Sequence, residues 1–216
     1  MLQLSGVSYR YAGYSNEVLH DIDLRLDDGE IIGLVGPNEA GKSTLCLVAS
    51  GLAPASIGGS LRGSLTLDGV PAAGLATHKL AERVVIGFQN PNTQRSGIAA
   101  TVFEEIALGP MNLGLPVAET VERTRAAIAR LRLDDLIRRD PQRLSGGQAQ
   151  LVGIASLLAM QPRHVILDGP TATVFDDPRL AALGVEPPAR ARLVRALGNR
   201  GLEGSIVEDA IAGAAS

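Results

Sequence analysis

The sequence predicts an α/β fold built on a parallel sheet. Two observations carry that prediction. The run Ile31-Ile32-Gly33-Leu34-Val35-Gly36 is continuously apolar, as a strand buried on both faces would be, and residues 43–52 after it read as a helix. Further along, a helical stretch at Gly146–Met160 leads into the apolar strand His164–Leu167. Strands that alternate with helices place the sheet in the parallel class.

The remaining elements follow in order. Leu2–Tyr11 and Val18–Leu26 alternate apolar and polar residues, as half-buried strands do. Asp27-Asp28-Gly29 is a turn. Ser56–Gly63, with Gly58-Gly59, reads as a loop, and Ser64–Gly69 as a strand and turn. Val84–Phe88 is a short apolar strand. From Thr101 to Arg139 the pattern is helical: Val117, Val121, Ile128 and Leu131 fall near a 3.6-residue period, and Pro116 stands at a helix start. Past the strand at 164–167, Pro178–Leu183 and Pro188–Leu197 have helical character, and Ala210–Ser216 reads as a frayed end. The sequence shows no internal repeat.

Composition excludes several classes. A chain of 216 residues holds one domain, or one and a half, and buries a large core. With 45% hydrophobic residues it is no disordered polymer. It contains no run of eighteen apolar residues, so no spanning helix is expected. The start, MLQLSGVSYRY, has neither a basic nor a continuous apolar region, so no secretory signal is expected. A single cysteine, Cys46, rules out a disulfide framework and a cysteine-based zinc site. The net charge of -3 gives no electrostatic case for nucleic acid. Only two lysines are present, and one of them, Lys42, stands in the strongest motif of the chain.

That motif is Gly36-Pro37-Asn38-Glu39-Ala40-Gly41-Lys42-Ser43, which fits G-x-x-x-x-G-K-[ST]. Glycines let the backbone wrap a phosphate with its N–H groups turned inward. The helix that follows aims its positive end at the same anion. Lys42 reaches the outer phosphates, the Ser43 hydroxyl suits Mg²⁺, and Thr44 offers a hydroxyl to the α-phosphate. The alternative is a chance Gly-rich turn, but the strand before and the helix after supply the context the motif requires. Glu39 is unusual, because a carboxylate beside a triphosphate repels it; pointing to solvent, it should have a modest effect.

Two further motifs follow. Leu144-Ser145-Gly146-Gly147-Gln148 opens a helix with small residues, which makes a second anion site by the same dipole argument. Alone it is equally an ordinary helix start capped by Ser145. His164-Val165-Ile166-Leu167-Asp168 is an apolar strand ending in a carboxylate, placed to hold Mg²⁺ through water; alone it reads rather as a plain strand end.

The order of these three motifs resembles the ATP-binding-cassette (ABC) family, of which LSGGQ is the signature. Phe88-Gln89-Asn90-Pro91-Asn92-Thr93-Gln94 and the segment Thr101–Pro110 resemble energy-coupling-factor importers and their cobalt- and nickel-importing relatives. The likeness covers residues 1–168. It implies a parallel-sheet ATPase core with flanking helices, an antiparallel β subdomain and a helical subdomain at about 92–145. It implies ATP and Mg²⁺ as cofactors. Residues 36–44 would bind nucleotide, Tyr11 would stack on adenine unless it packs on the sheet, and Gln89 would touch Mg²⁺ beside Ser43 and Asp168. Leu144, Ser145, Gly146, Gly147 and Gln148 would serve the ATP of a second cassette, identical or different, in a head-to-tail pair. A transmembrane coupling subunit and a substrate-binding membrane subunit would complete the importer, with this chain peripheral on the cytoplasmic face of the membrane.

The sequence departs from that family in one region. Gly169 follows Asp168 where the family carries a catalytic glutamate, and His20, His78 and His164 all precede Asp168, so no switch histidine follows it. No catalytic residue is therefore assigned. Pro170–Asp176 imitates the next family loop with one residue too many. Residues 169–198 look like the C-terminal tail of some of these importers, so the C-terminal part of the core is expected to be missing, roughly 60 residues at the scale of a βαβ unit. Ser205–Asp209 would either fill the gap as a strand or form an amphipathic tail. Three functions stand at this point: the ATPase subunit of such an importer, a pseudo-ATPase that completes a partner's site through LSGGQ, and a soluble ABC protein of repair or translation. FQNPNTQ and the lack of basic patches weigh against the third.

Overall fold

Strand β1 (Leu2–Arg10) pairs antiparallel with β2 (Leu19–Leu26) and with β4 (Ser60–Leu67), and β5 (Val70–Pro71) closes the order β2-β1-β4-β5. The computed structural model describes residues 1–90, 93–169 and the backbone of 192–193. In β1 the alternation changes phase. Leu2 and Leu4 are buried, and so are Val7 and Tyr9, which lie on the other parity. The pairing with both neighbours shifts register between Leu4 and Ser8, so an extra residue returns the apolar side chains to one face. Gly63, opposite this bulge, has φ +80, and a Cβ there would run into the Ser5 and Gly6 carbonyls. Only glycine fits. The sequence predicts a loop over 56–63, but β4 starts at Ser60, because the close approach at Gly63 lets the strand continue.

The phosphate-loop strand β3 covers only Ile32–Gly33, shorter than the run from Ile31 to Gly36. Its described neighbour is β8 (Arg192–Leu193), which lies parallel with Ile32 opposite Arg192. This corrects the helical expectation for those two residues. A ladder extends only as far as its partner strand. Val35 is 61% exposed, against the buried strand that its apolar neighbours predict. β6 (Val84–Gly87) and β7 (His164–Leu167) form the other parallel pair, with Val84 opposite His164 and Gly87 opposite Leu167. The remaining calls past Gly169, including Pro170–Asp176, the two helices, Ser205–Asp209 and the frayed end, lie outside the described residues.

The helix expected at 43–52 divides into α1 (Lys42–Ala49) and α2 (Leu52–Ala55), with a left-handed Gly51 between them. α3 (Thr77–Ala81) precedes β6. Residues 101–139 hold two helices, α4 (Val102–Asn112) and α5 (Val117–Leu131). Gly114 at φ +75 and Pro116, which has no N–H to donate, separate them. Thr101 and Glu104 form a reciprocal cap at the start of α4. α6 (Gly146–Ala159) follows.

Two cores result. Leu2, Leu4, Val7 and Leu67 of the antiparallel sheet pack with Leu45 and Val48 of α1 under the phosphate loop. Val102, Ile106, Ile128, Leu131, Val152 and Ala155 join α4, α5 and α6. Each fully buried aliphatic side chain contributes about 1.5–3 kcal/mol. The first core therefore fixes the start of α1, and the second fixes the start of α6. Those two helix starts carry the two glycine motifs.

Candidate nucleotide-binding site

Gly41 is the residue on which the loop turns into α1. Its φ is +83, and a Cβ would sit 3.2 Å from the Val18 carbonyl and from a Leu19 methyl. The second glycine of the motif is thus required twice, by conformation and by space. Lys42 Nζ donates to the Gly36 carbonyl at 2.8 Å and the Pro37 carbonyl at 2.6 Å. The ammonium is therefore held over the loop itself. Asn38 and Glu39 are exposed and Ala40 is half-buried.

The Ser43 hydroxyl donates to an Asp168 carboxylate oxygen at 3.1 Å. The Asp168 N–H donates to the Gly87 carbonyl at 2.7 Å, which continues the β6–β7 ladder and fixes the carboxylate at the strand end. A hydroxyl and a carboxylate at this separation are hard oxygen donors of the kind Mg²⁺ takes together with phosphate oxygens. The residues present fit the metal. Mg²⁺ bound there would neutralise charge on the outer phosphates.

Thr44 is buried, and its hydroxyl shares a hydrogen bond of 3.1 Å with the Tyr11 hydroxyl. Tyr11 stands edge-on to Tyr9 with ring centroids 5.0 Å apart, and near Tyr14 at 6.3 Å. Tyr11 is thus tied to the first turn of α1. Cys46, one turn further on, is buried. That burial, and after it the Asp168 charge, push its thiol up to about 12.

Gln89 is exposed at the end of β6. The loop that carries it is pinned by a residue the sequence reading gave no role. Gln94 Oε1 accepts from the Phe88 N–H at 3.3 Å, and Gln94 Nε2 donates to the Ile86 carbonyl at 3.4 Å. Gly153 of α6 lies against it, where a Cβ would come into ordinary contact 3.4 Å from Gln94 Oε1. An amide five residues past Gln89 was the available signal. Beside it a groove of about 300 Å³ is lined by Gln94, Ile98, Glu105, Asn112, Ser156 and Met160.

At the start of α6, Gln148 N–H donates to Ser145 Oγ at 3.4 Å, and Ser145 N–H donates to Gln148 Oε1 at 3.1 Å. This reciprocal cap leaves Ser145, Gly146 and Gly147 exposed, and a Cβ on either glycine would meet nothing within 4 Å. Leu144 is half-buried and packs on the helical core. The structure brings Lys42, Ser43, Thr44, Tyr11 and Asp168 together through α1. It presents the signature residues separately, at an open surface.

A family profile for ABC transporters matches residues 19–172, most of the chain. This chain belongs to the ABC transporter family. The cassette is 39% identical over 175 residues to the energy-coupling factor transporter ATP-binding protein EcfA of Methanosphaera stadtmanae, across 80% of this chain and 60% of that protein. It is 36% identical over 206 residues to the cobalt import ATP-binding protein CbiO of Syntrophus aciditrophicus, across 94% of this chain and 67% of the other. The structure of CbiO1 from Clostridium perfringens, part of the transporter complex CbiONQ, superposes with a TM-score of 0.67 at 31% identity, over 79% of this chain and 66% of that one. The cassette spans about three fifths of the length of several curated relatives that it matches. Its mixed α/β architecture is the fold of ABC ATPase cassettes.

Proposed function

We propose that this cassette is the ATP-binding subunit of an energy-coupling-factor-type importer, coupling ATP binding and hydrolysis to uptake of a vitamin or transition metal ion. The observation that carries the reading is the Ser43–Asp168 hydrogen bond beside the left-handed Gly41, which joins a phosphate loop to a metal-binding carboxylate. The names of the EcfA and CbiO relatives support the importer class. In this reading residues 36–44 and Tyr11 bind ATP, and Ser43, Gln89 and Asp168 hold Mg²⁺. The exposed signature residues 144–148 serve the ATP of a second cassette, identical or different.

Residues 1–168 form the nucleotide-binding domain, with the helical subdomain at about 92–145, and 169–216 form a tail after an internal deletion. A transmembrane coupling subunit completes the importer, and a further membrane subunit selects the cargo. Among the described residues no helix is long and apolar enough to cross a membrane. The cassette would sit on the cytoplasmic face as a peripheral subunit. Gly169 favours a second reading, in which the chain binds ATP, hydrolyses little and completes a partner's site. Titration with MgATP tests the reading: the wild type binds, and Lys42→Ala loses most of that affinity. Equal affinity in both proteins would overturn it.

A further inference from the structure

We propose that Glu39 determines how the phosphate loop discriminates between nucleotides: its carboxylate opposes the charge of a bound polyphosphate, and so penalises the triphosphate more than the diphosphate. The inference rests on the nucleotide-binding reading above and deepens it.

The backbone gives the first argument. Glu39 has φ +65, a left-handed conformation that glycine adopts freely and that costs other L-residues energy. Nothing in the local backbone therefore calls for a glutamate; a smaller and uncharged residue would suit the turn better.

The electrostatics give the second. Glu39 is exposed, and among the described residues no ion pair involves it. Lys42, three residues on, makes no ion pair with it; its ammonium donates to the Gly36 and Pro37 carbonyls. The loop is eight residues long from Gly36 to Ser43. An anion cradled by its N–H groups lies within about one Debye length, roughly 8–10 Å, of every side chain on it. The repulsion grows with the charge of the ligand, so ATP suffers more than ADP. A divalent cation held by Ser43 and Asp168 cancels part of that charge. Glu39 therefore makes tight triphosphate binding depend more strongly on the metal.

The test uses the full chain and titration with ATP and ADP, each with Mg²⁺ and with a chelator. Glu39→Gln keeps the size and the backbone strain and removes the charge. It should bind ATP about threefold to tenfold more tightly than the wild type, and ADP with a smaller gain. The difference should shrink with Mg²⁺ and at high salt. Glu39→Asp, which keeps the charge, should behave like the wild type. An unchanged ATP-to-ADP ratio in Glu39→Gln overturns the inference, and so does a Glu39→Asp variant that matches Glu39→Gln. Lys42→Ala separates the two levels. If it loses binding while Glu39→Gln changes nothing, the loop reading stands and the role of Glu39 fails. If it binds as the wild type does, the loop reading fails as well.

Discussion

Ser43 and Asp168 are hydrogen-bonded at 3.1 Å across 125 positions of sequence. The bond joins the first turn of α1 to the end of β7. It places a hydroxyl and a carboxylate side by side at the foot of the phosphate loop, and the same carboxylate helps to keep the Cys46 thiol neutral. Each consequence can be measured.

Asp168→Asn keeps the hydrogen bond and removes the charge. Affinity for MgATP should fall about tenfold or more, because a charged oxygen is replaced by a neutral one at the metal. Binding measured in a chelator should change little. A parallel loss in both conditions would mean that Asp168 acts on the fold and not on the metal.

Gly169 predicts slow hydrolysis. A positioned general base contributes roughly 10²–10⁴-fold in rate, and the residue beside Asp168 has no side chain. The purified chain without a partner should turn over about a hundredfold or more slowly than a cassette with glutamate at that place. Nucleotide binding must be demonstrated first, so that an unfolded sample is not counted as an inactive one. Turnover on the order of 1 s⁻¹, typical of enzymes, would sink the idea.

Ser145→Arg probes the signature surface. In a mixed pair with a full-length cassette it should lower the partner's turnover, because the arginine enters the surface offered to the partner's ATP. Losing the Ser145 cap also costs about 0.5–2 kcal/mol, so melting curves must accompany the assay. Unchanged turnover in a confirmed heterodimer would remove this role.

Cys46 makes stability depend on pH. Its thiol would ionise near 9.0 in the unfolded chain and near 12 in the fold, pushed up by burial first and by Asp168 second. The folded value is the raised one, so the stabilisation is complete below pH 9 and is lost as pH rises from 9 toward 12. Over that window the melting temperature of the wild type should fall more steeply than that of Cys46→Ala. Identical slopes would contradict the burial of the thiol.

Gly63→Ala should destabilise the antiparallel sheet by about 2 kcal/mol or more, since φ +80 is strained for alanine and its Cβ would overlap the Ser5 and Gly6 carbonyls. Denaturant unfolding reads this directly. A change below about 0.5 kcal/mol, typical of a neutral surface site, would show that the bulge yields.

The sequence by itself determined the parts of this protein whose physics is local. Gly36–Ser43, the Ser145 cap and the apolar strand ending in Asp168 are read from residue type and spacing, because a phosphate loop, a helix cap and a strand end each need particular residues at short range. The family followed from the order of those motifs. The tertiary structure decided what depends on residues far apart. The pairing of β1 with β4 turned the predicted loop at Ser60–Gly63 into strand, since a register shift is a property of two strands. β3 pairs with β8 over two residues, Ile32 and Gly33, and Val35 is exposed, since strand length depends on the partner. The hold of Gln94 on the Gln89 loop and the tie from Tyr11 to Thr44 arise where chain segments meet. No local pattern of apolar and polar residues encodes them.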